Sequence, residues 1–292
     1  MFNRSLVLLV LTYLTACPPT CTADSYPWRD SSTSHGEERE QSTETISSIK
    51  PPPGFERVLV AHGSYGSWIN SLPLKRKGLV ARTYNGQVAQ RQDEVHRIVD
   101  IDVGDRDLQQ CADTVIRLRS EYLYSRGELS SIAFNFTSGD RSYFSQWSNG
   151  YRPQVQGNDV RWLQQAEADS SYSSLRRYLE SVFTYAGTFS LSREMVPVPD
   201  YADIRTGDVF IKSGFPGHVV MIADVARDRR TGQTAVLLLQ GFMPAMDVHV
   251  LSNIYNPDSS PWFLLEEGDP LLVAWGAFSP SCLRRFPDLE SR

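Results

Sequence analysis

The sequence predicts an α+β domain in which helices come first and an antiparallel set of strands follows. Two observations carry that prediction. Two stretches before residue 190 place apolar side chains at helical spacing. After residue 205, short runs rich in Val, Ile, Leu and Phe recur between turn residues.

The first helix starts near Asp107, where an acid followed three residues on by Gln110 makes a capping-box pattern. Leu108, Cys111, Ala112, Val115, Leu118 and Tyr122 then share one face, and Gly127 is the stop. The second spans about 172–186, with Leu175, Tyr178, Leu179, Val182, Phe183 and Ala186 as its stripe. Strands are expected at 79–84 (closed by the turn pair Asn85-Gly86), 97–103 and 132–136. The later set is 208–212, 218–225, 234–240 and 271–277.

The N-terminus reads as an export signal. One positive charge precedes a short apolar run, 5–14, too short to span a bilayer, and the run ends Leu14-Thr15-Ala16-Cys17. That ending resembles the lipobox of bacterial lipoproteins. The resemblance implies that residues 1–16 are removed and that a lipid on Cys17 is the membrane attachment. By the same likeness, Pro18 after the Cys favours the outer membrane, facing the periplasm. Residues 17–50 are polar, nearly empty of aliphatic side chains, and read as a disordered tether ended by Pro51-Pro52-Pro53. A single domain is expected over 51–292. The formal net charge of −5 argues against a nucleic-acid partner. With Cys17 lipidated, Cys21, Cys111 and Cys282 remain, an odd number.

Chemistry centres on Cys111, in the first turn of a capped helix, where the positive end of the helix dipole favours a thiolate. The same residue also lies on the apolar face, as buried cysteines often do. His218 opens an apolar strand after the loop Gly214-Phe215-Pro216-Gly217. If the next hairpin turns about Arg229, His218 stands directly opposite Gln240, which can then orient the imidazole. Asp247 and His249 are alternative orienting groups, or a solvated loop pair. Tyr143, Phe144, Trp147 and Tyr151 form an aromatic group suited to stacking on sugars or, more commonly, to core. No HExxH, paired CxxC or glycine-rich phosphate loop is present, so no metal or cofactor is expected.

Cys at a helix start, His at a strand start and a polar residue on the following strand resemble the papain-like cysteine hydrolases, in particular the NlpC and CHAP-type cell-wall amidases. Residues 207–210 and 217–220 are the most specific part of that likeness. It implies a papain-like helix packed on an antiparallel sheet, with Cys111 as nucleophile, His218 as base and Gln240 as its orienting partner. The oxyanion donor it implies is the backbone N–H of Cys111, with Gln109 or Gln110 as side-chain candidates. The expected function is periplasmic thiol hydrolysis of cell-wall peptides. Alternatives are a non-catalytic envelope scaffold or binding module, and a Cys111–Cys282 disulfide that would exclude the nucleophile. Departures from those families are Gln110 before the Cys, Ala112-Asp113 after it, and about a hundred residues between Cys and His.

The chain also resembles a bacterial lipoprotein-associated family classed as a domain of unknown function. The matching stretches are 63–68, 72–75, 103–122, 185–188 and 240–245. That likeness implies a shared fold and no particular activity.

Overall fold

Strand β9 (His218–Asp228) is the axis of the molecule, and its first nine residues are buried. The computed structural model describes residues 26–30 and 43–287. The strands before β9 are β1 (Phe55–Arg57), β2 (Val95–Ile98), β3 (Ala133–Asn135), β4 (Arg141–Tyr143), β5 (Tyr151–Gln156), β6 (Asp159–Gln164), β7 (Val196–Pro197) and β8 (Val209–Lys212). After it come β10 (Thr234–Gln240), β11 (His249–Leu251), β12 (Trp262–Leu265), β13 (Leu271–Val273), β14 (Gly276–Phe278) and β15 (Leu283–Arg285). Nine of these strands form one sheet, ordered β2-β11-β10-β9-β8-β15-β7, with β1 on β9 and β12 on β10. Its pairings are antiparallel. Three hairpins, β3–β4, β5–β6 and β13–β14, stand apart from it.

The two apolar central strands are buried on both faces. Val219, Met221 and Ala223 of β9 and Leu237 and Leu239 of β10 point into the larger core. Val220, Ile222, Val236 and Leu238 point into a second core, closed by Phe210, Phe263 and Phe278. Register is interrupted once. Leu237 faces Asp224 but Leu238 faces Ile222, so Ala223 is an extra residue, a β-bulge. Side chains hold it: Asn70 Nδ2 donates to the Ala223 carbonyl at 2.8 Å, and Arg57 Nε reaches Asp224 at 2.6 Å.

The helices are α1 (Pro27–Asp30), α2 (Tyr65–Asn70), α3 (Cys111–Ser125), α4 (Phe144–Ser148), α5 (Tyr172–Tyr185) and α6 (Thr188–Glu194). All residues of α3 except Cys111 and Tyr124 are buried. It packs on β9 and β10, and its Tyr124 meets Phe144 of α4 and Tyr172 of α5. Two of the charged groups it buries are paired: Arg117 Nε binds Glu121 at 2.5 Å, and Tyr172 donates to the same carboxylate at 2.7 Å.

Several expectations are corrected. The papain-like α+β arrangement does not form; the chain is mostly antiparallel sheet, nine strands plus small hairpins, with few helices. The sequence hides this because many of the added strands have two to four residues, too short to display alternation. Residues 79–84 make only isolated bridges, Arg82 with Val88 and Thr83 with Met246. The first helix starts at Cys111, not Asp107, because Asp113 accepts from the Gln110 N–H while Asp107 accepts from Ala245 N.

The expected tether also ends too late at residue 50. Ile46 is fully buried, and Tyr26 and Trp28 pack on Trp68, with Trp28 Nε1 donating to the Asp100 carbonyl at 2.7 Å. A few apolar anchors in a polar segment suffice when each finds a slot. Phe144 and Trp147 are core, whereas Tyr143 is exposed. Cys17 and Cys21 lie outside the described residues. Among those described, no helix is long and apolar enough to cross a membrane.

Candidate functional site

Cys111 is the first residue of α3, where the leading backbone N–H groups have no intrahelical acceptor. Its side chain lies against the backbone of Val219, the residue that follows His218 on β9. Two glycines make this approach close. A Cβ on Gly241, just beyond β10, would meet Thr114 Oγ1 at 2.2 Å and the Gln110 carbonyl at 2.9 Å. A Cβ on Gly217 would meet Thr188 Oγ1 at 2.2 Å. The end of β10 therefore lies against the start of α3, and the loop before β9 lies against the start of α6.

Electrostatics oppose the expected thiolate. Burial, and secondarily the Asp113 carboxyl, push the Cys111 thiol up to about 11, against the opposing pull of backbone contacts from Val219, Ala112 and Cys111 itself. Asp113 is itself pushed up to about 8 by burial. Burial draws His218 down to about 4, although its bond to Gln240 works the other way. Thiol and imidazole thus rest as a neutral pair near pH 7.

His218 and Gln240 are joined, but not as directly opposed residues. Leu239 faces Met221, which sets Gln240 level with Val220, two residues along from His218 on the same face. His218 Nε2 and Gln240 Oε1 are 2.8 Å apart along this diagonal. The bulge makes it possible. Without the extra Ala223, Gln240 would fall level with Met221 and on the other face from His218. Gln240 also pairs with His249 on β11, and Gln240 Nε2 and His249 Nε2 lie 3.3 Å apart. His249 Nδ1 in turn meets the Asp247 carbonyl at 2.9 Å. Three side chains on adjacent strands, ended by the Asp247 carbonyl just before β11, form one polar row. The reading of Asp247 and His249 as a solvated loop pair is corrected for His249, which is buried on β11.

The other walls come from several elements. Cys111, Asp113, Gly187, Thr188, His218 and Trp275 all line one cleft of about 320 Å³. Trp275, in the β13–β14 turn, stacks on the His218 ring at 5.0 Å, and Phe242 meets it edge-on at 5.4 Å. Phe215 and Met243, 86 % and 63 % exposed, stand at its margins. Gln110 lines the cleft and bonds Asp107, whereas Gln109 is turned inward to Arg117 and is not available as an oxyanion donor. Cys111 and Cys282 are both free thiols, packed against different cores, so no disulfide joins them. Among the described residues no His, Cys, Asp and Glu cluster is arranged to hold a metal ion.

The family model for a domain of unknown function, DUF4846, matches residues 46–285. The chain belongs to the DUF4846 family. No curated protein and no solved structure matches the chain. The DUF4846 match begins at Ile46, the residue at which buried structure resumes in the described chain.

Sequence reasoning missed Trp275, Thr188, Asp113 and the burial of His249 as parts of this DUF4846 site. Trp275-Gly276 is a turn pair with no partner visible in the sequence. His249 had a readable signal, since it lies nine residues past Gln240 and opens another apolar run.

Proposed function

We propose that the chain is a thiol hydrolase of the bacterial cell envelope, anchored by lipid on Cys17 and cleaving amide bonds of cell-wall peptides. The observation that supports the reading most is the shared cleft. A cysteine at a helix start and a histidine whose far nitrogen is bonded to a buried amide line the same cavity.

The chemistry follows from the neutral pair. As the Cys111 sulfur attacks the carbonyl carbon, its proton passes to the His218 imidazole, and the oxyanion is met by the free N–H at the start of α3. Collapse breaks the C–N bond, and the leaving amine takes the proton from His218. Water then attacks the thioester, giving a proton to His218 that returns to the departing sulfur. Gln240 holds the ring throughout. A second reading, a binding module using the same cleft without chemistry, is favoured by one observation: the resting thiol is held protonated.

The test uses the mature chain on peptidoglycan stem peptides. Cys111→Ala and His218→Ala should each lower product release by about a thousandfold or more, and acid-quenched wild-type protein should carry an acyl adduct on Cys111. Product release that survives Cys111→Ala sinks the hydrolase reading and leaves the binding module.

A further inference from the structure

We infer that His249 is a positioning residue: acting through Gln240, it determines which ring nitrogen of His218 carries the proton. The inference rests on reading His218 as the base, and it adds a fourth member, beyond Gln240, to the group that prepares it.

The argument follows the donors and acceptors from one fixed end. The Asp247 backbone carbonyl can only accept, so His249 Nδ1, 2.9 Å away, carries the hydrogen. Burial keeps the His249 ring neutral, so its Nε2 is bare and can only accept. The group facing it at 3.3 Å must then be the amide nitrogen of Gln240. That places the amide oxygen toward His218, where it sits 2.8 Å from Nε2. An amide oxygen only accepts, so His218 Nε2 is protonated and Nδ1 keeps its lone pair. Reversing the amide would set two acceptors together, its oxygen against the bare Nε2 of His249, so only the orientation that turns the oxygen to His218 satisfies both histidines with His249 fixed as it is. One main-chain carbonyl thus fixes the tautomer three side chains away.

Strand pairing makes the row rigid. Gln240 and His249 are directly opposed on β10 and β11, and His249 pairs with Ile98 of β2 on its other side. His249 is therefore held between two neighbouring strands, with Asp247 just before its own strand. Glu94 and Arg91 share its cavity, and Arg91 pairs with Glu94.

The test reads protonation directly and does not depend on activity. The full mature chain, labelled with ¹⁵N-histidine, is examined by long-range proton–nitrogen correlation. Wild type should show His218 only as the Nε2–H form and His249 only as the Nδ1–H form. In His249→Phe the Gln240 amide loses its acceptor, so His218 should lose the single-tautomer pattern. His249→Gln, whose side-chain oxygen can accept, should restore it. Gln240→Glu offers acceptors on both sides, so His249 should gain a second proton and titrate upward from its lowered position, with His218 still Nε2–H. That readout stands if His249→Phe fails to fold.

Finding His218 as Nδ1–H in wild type, or an unmoved pattern in folded His249→Phe, or an unmoved His249 titration in Gln240→Glu, overturns the inference. A protein with the expected tautomers but no hydrolysis sinks the proposed function instead, so the two failures are distinguishable.

Discussion

Asp113 and His218 are buried in forms that put opposite pH limits on the fold. The Asp113 carboxyl is raised to about 8 from an ordinary 3.8. Between those values the folded chain holds a proton that the unfolded chain releases, so stability falls as pH rises from about 4 to 8. His218 is lowered from 6.5 to about 4. There the unfolded chain binds the proton, so stability is lost as pH falls from 6.5 to 4. His249, lowered by burial, acts in the same direction as His218. Asp113→Asn keeps an acceptor for the Gln110 N–H and removes the ionisable group. Its stability relative to wild type should therefore rise steadily between pH 4 and pH 8, as urea denaturation at several pH values would measure. A pH-independent difference would mean that Asp113 is ionised in the folded chain.

At the scale of elements, the site depends on one bulge. The extra Ala223 shifts β9 by one residue against β10, and that shift puts Gln240 on the face of His218. Asn70 of α2 holds the bulge through the Ala223 carbonyl. Asn70→Ala leaves that buried carbonyl without its side-chain donor and should cost about 1–3 kcal/mol in equilibrium denaturation. If the bulge relaxes, the same variant should also weaken the His218–Gln240 bond, seen as a changed His218 titration. A neutral Asn70→Ala would show that backbone pairing alone maintains the bulge. This detail was out of reach of the sequence. Symmetry about Arg229 placed His218 and Gln240 on one face, as they are, but as opposed residues. They are diagonal neighbours, and the shared face is owed to an insertion with no marker of its own at Ala223. Helix α5 was legible because Leu175, Tyr178, Leu179, Val182 and Phe183 form a stripe that is buried as a unit.

Across the whole molecule, residues far apart in the chain close the core. Tyr26, Trp28 and Ile46 are buried in the larger core, although their surroundings in sequence are polar. Each fully buried large apolar side chain contributes about 2 kcal/mol. A chain beginning at residue 48 loses all three and should melt about 10 °C or more below the full chain, with a chain beginning at residue 43 in between. Equal melting temperatures would show that those contacts add nothing. The cleft has the same long-range character. Its walls come from the start of α3, the junction of α5 and α6, the loop before β9 and the β13–β14 turn.

The sequence by itself determined where Cys111, His218 and Gln240 stand on their elements: a helix start, a strand start and a strand end. These follow from local pattern, since apolar periodicity and turn residues act over a few positions. Only the tertiary structure decided the mainly antiparallel architecture, because strands of two to four residues exist only where a neighbour supplies the other half of their hydrogen bonds. It alone decided the protonation of the site as well. The helix N-terminus favours a thiolate at Cys111, but the chain packed around that position removes the water a charge requires. The same removal of water keeps His218 neutral and makes the polar row through Gln240 and His249 accept a single arrangement of its protons.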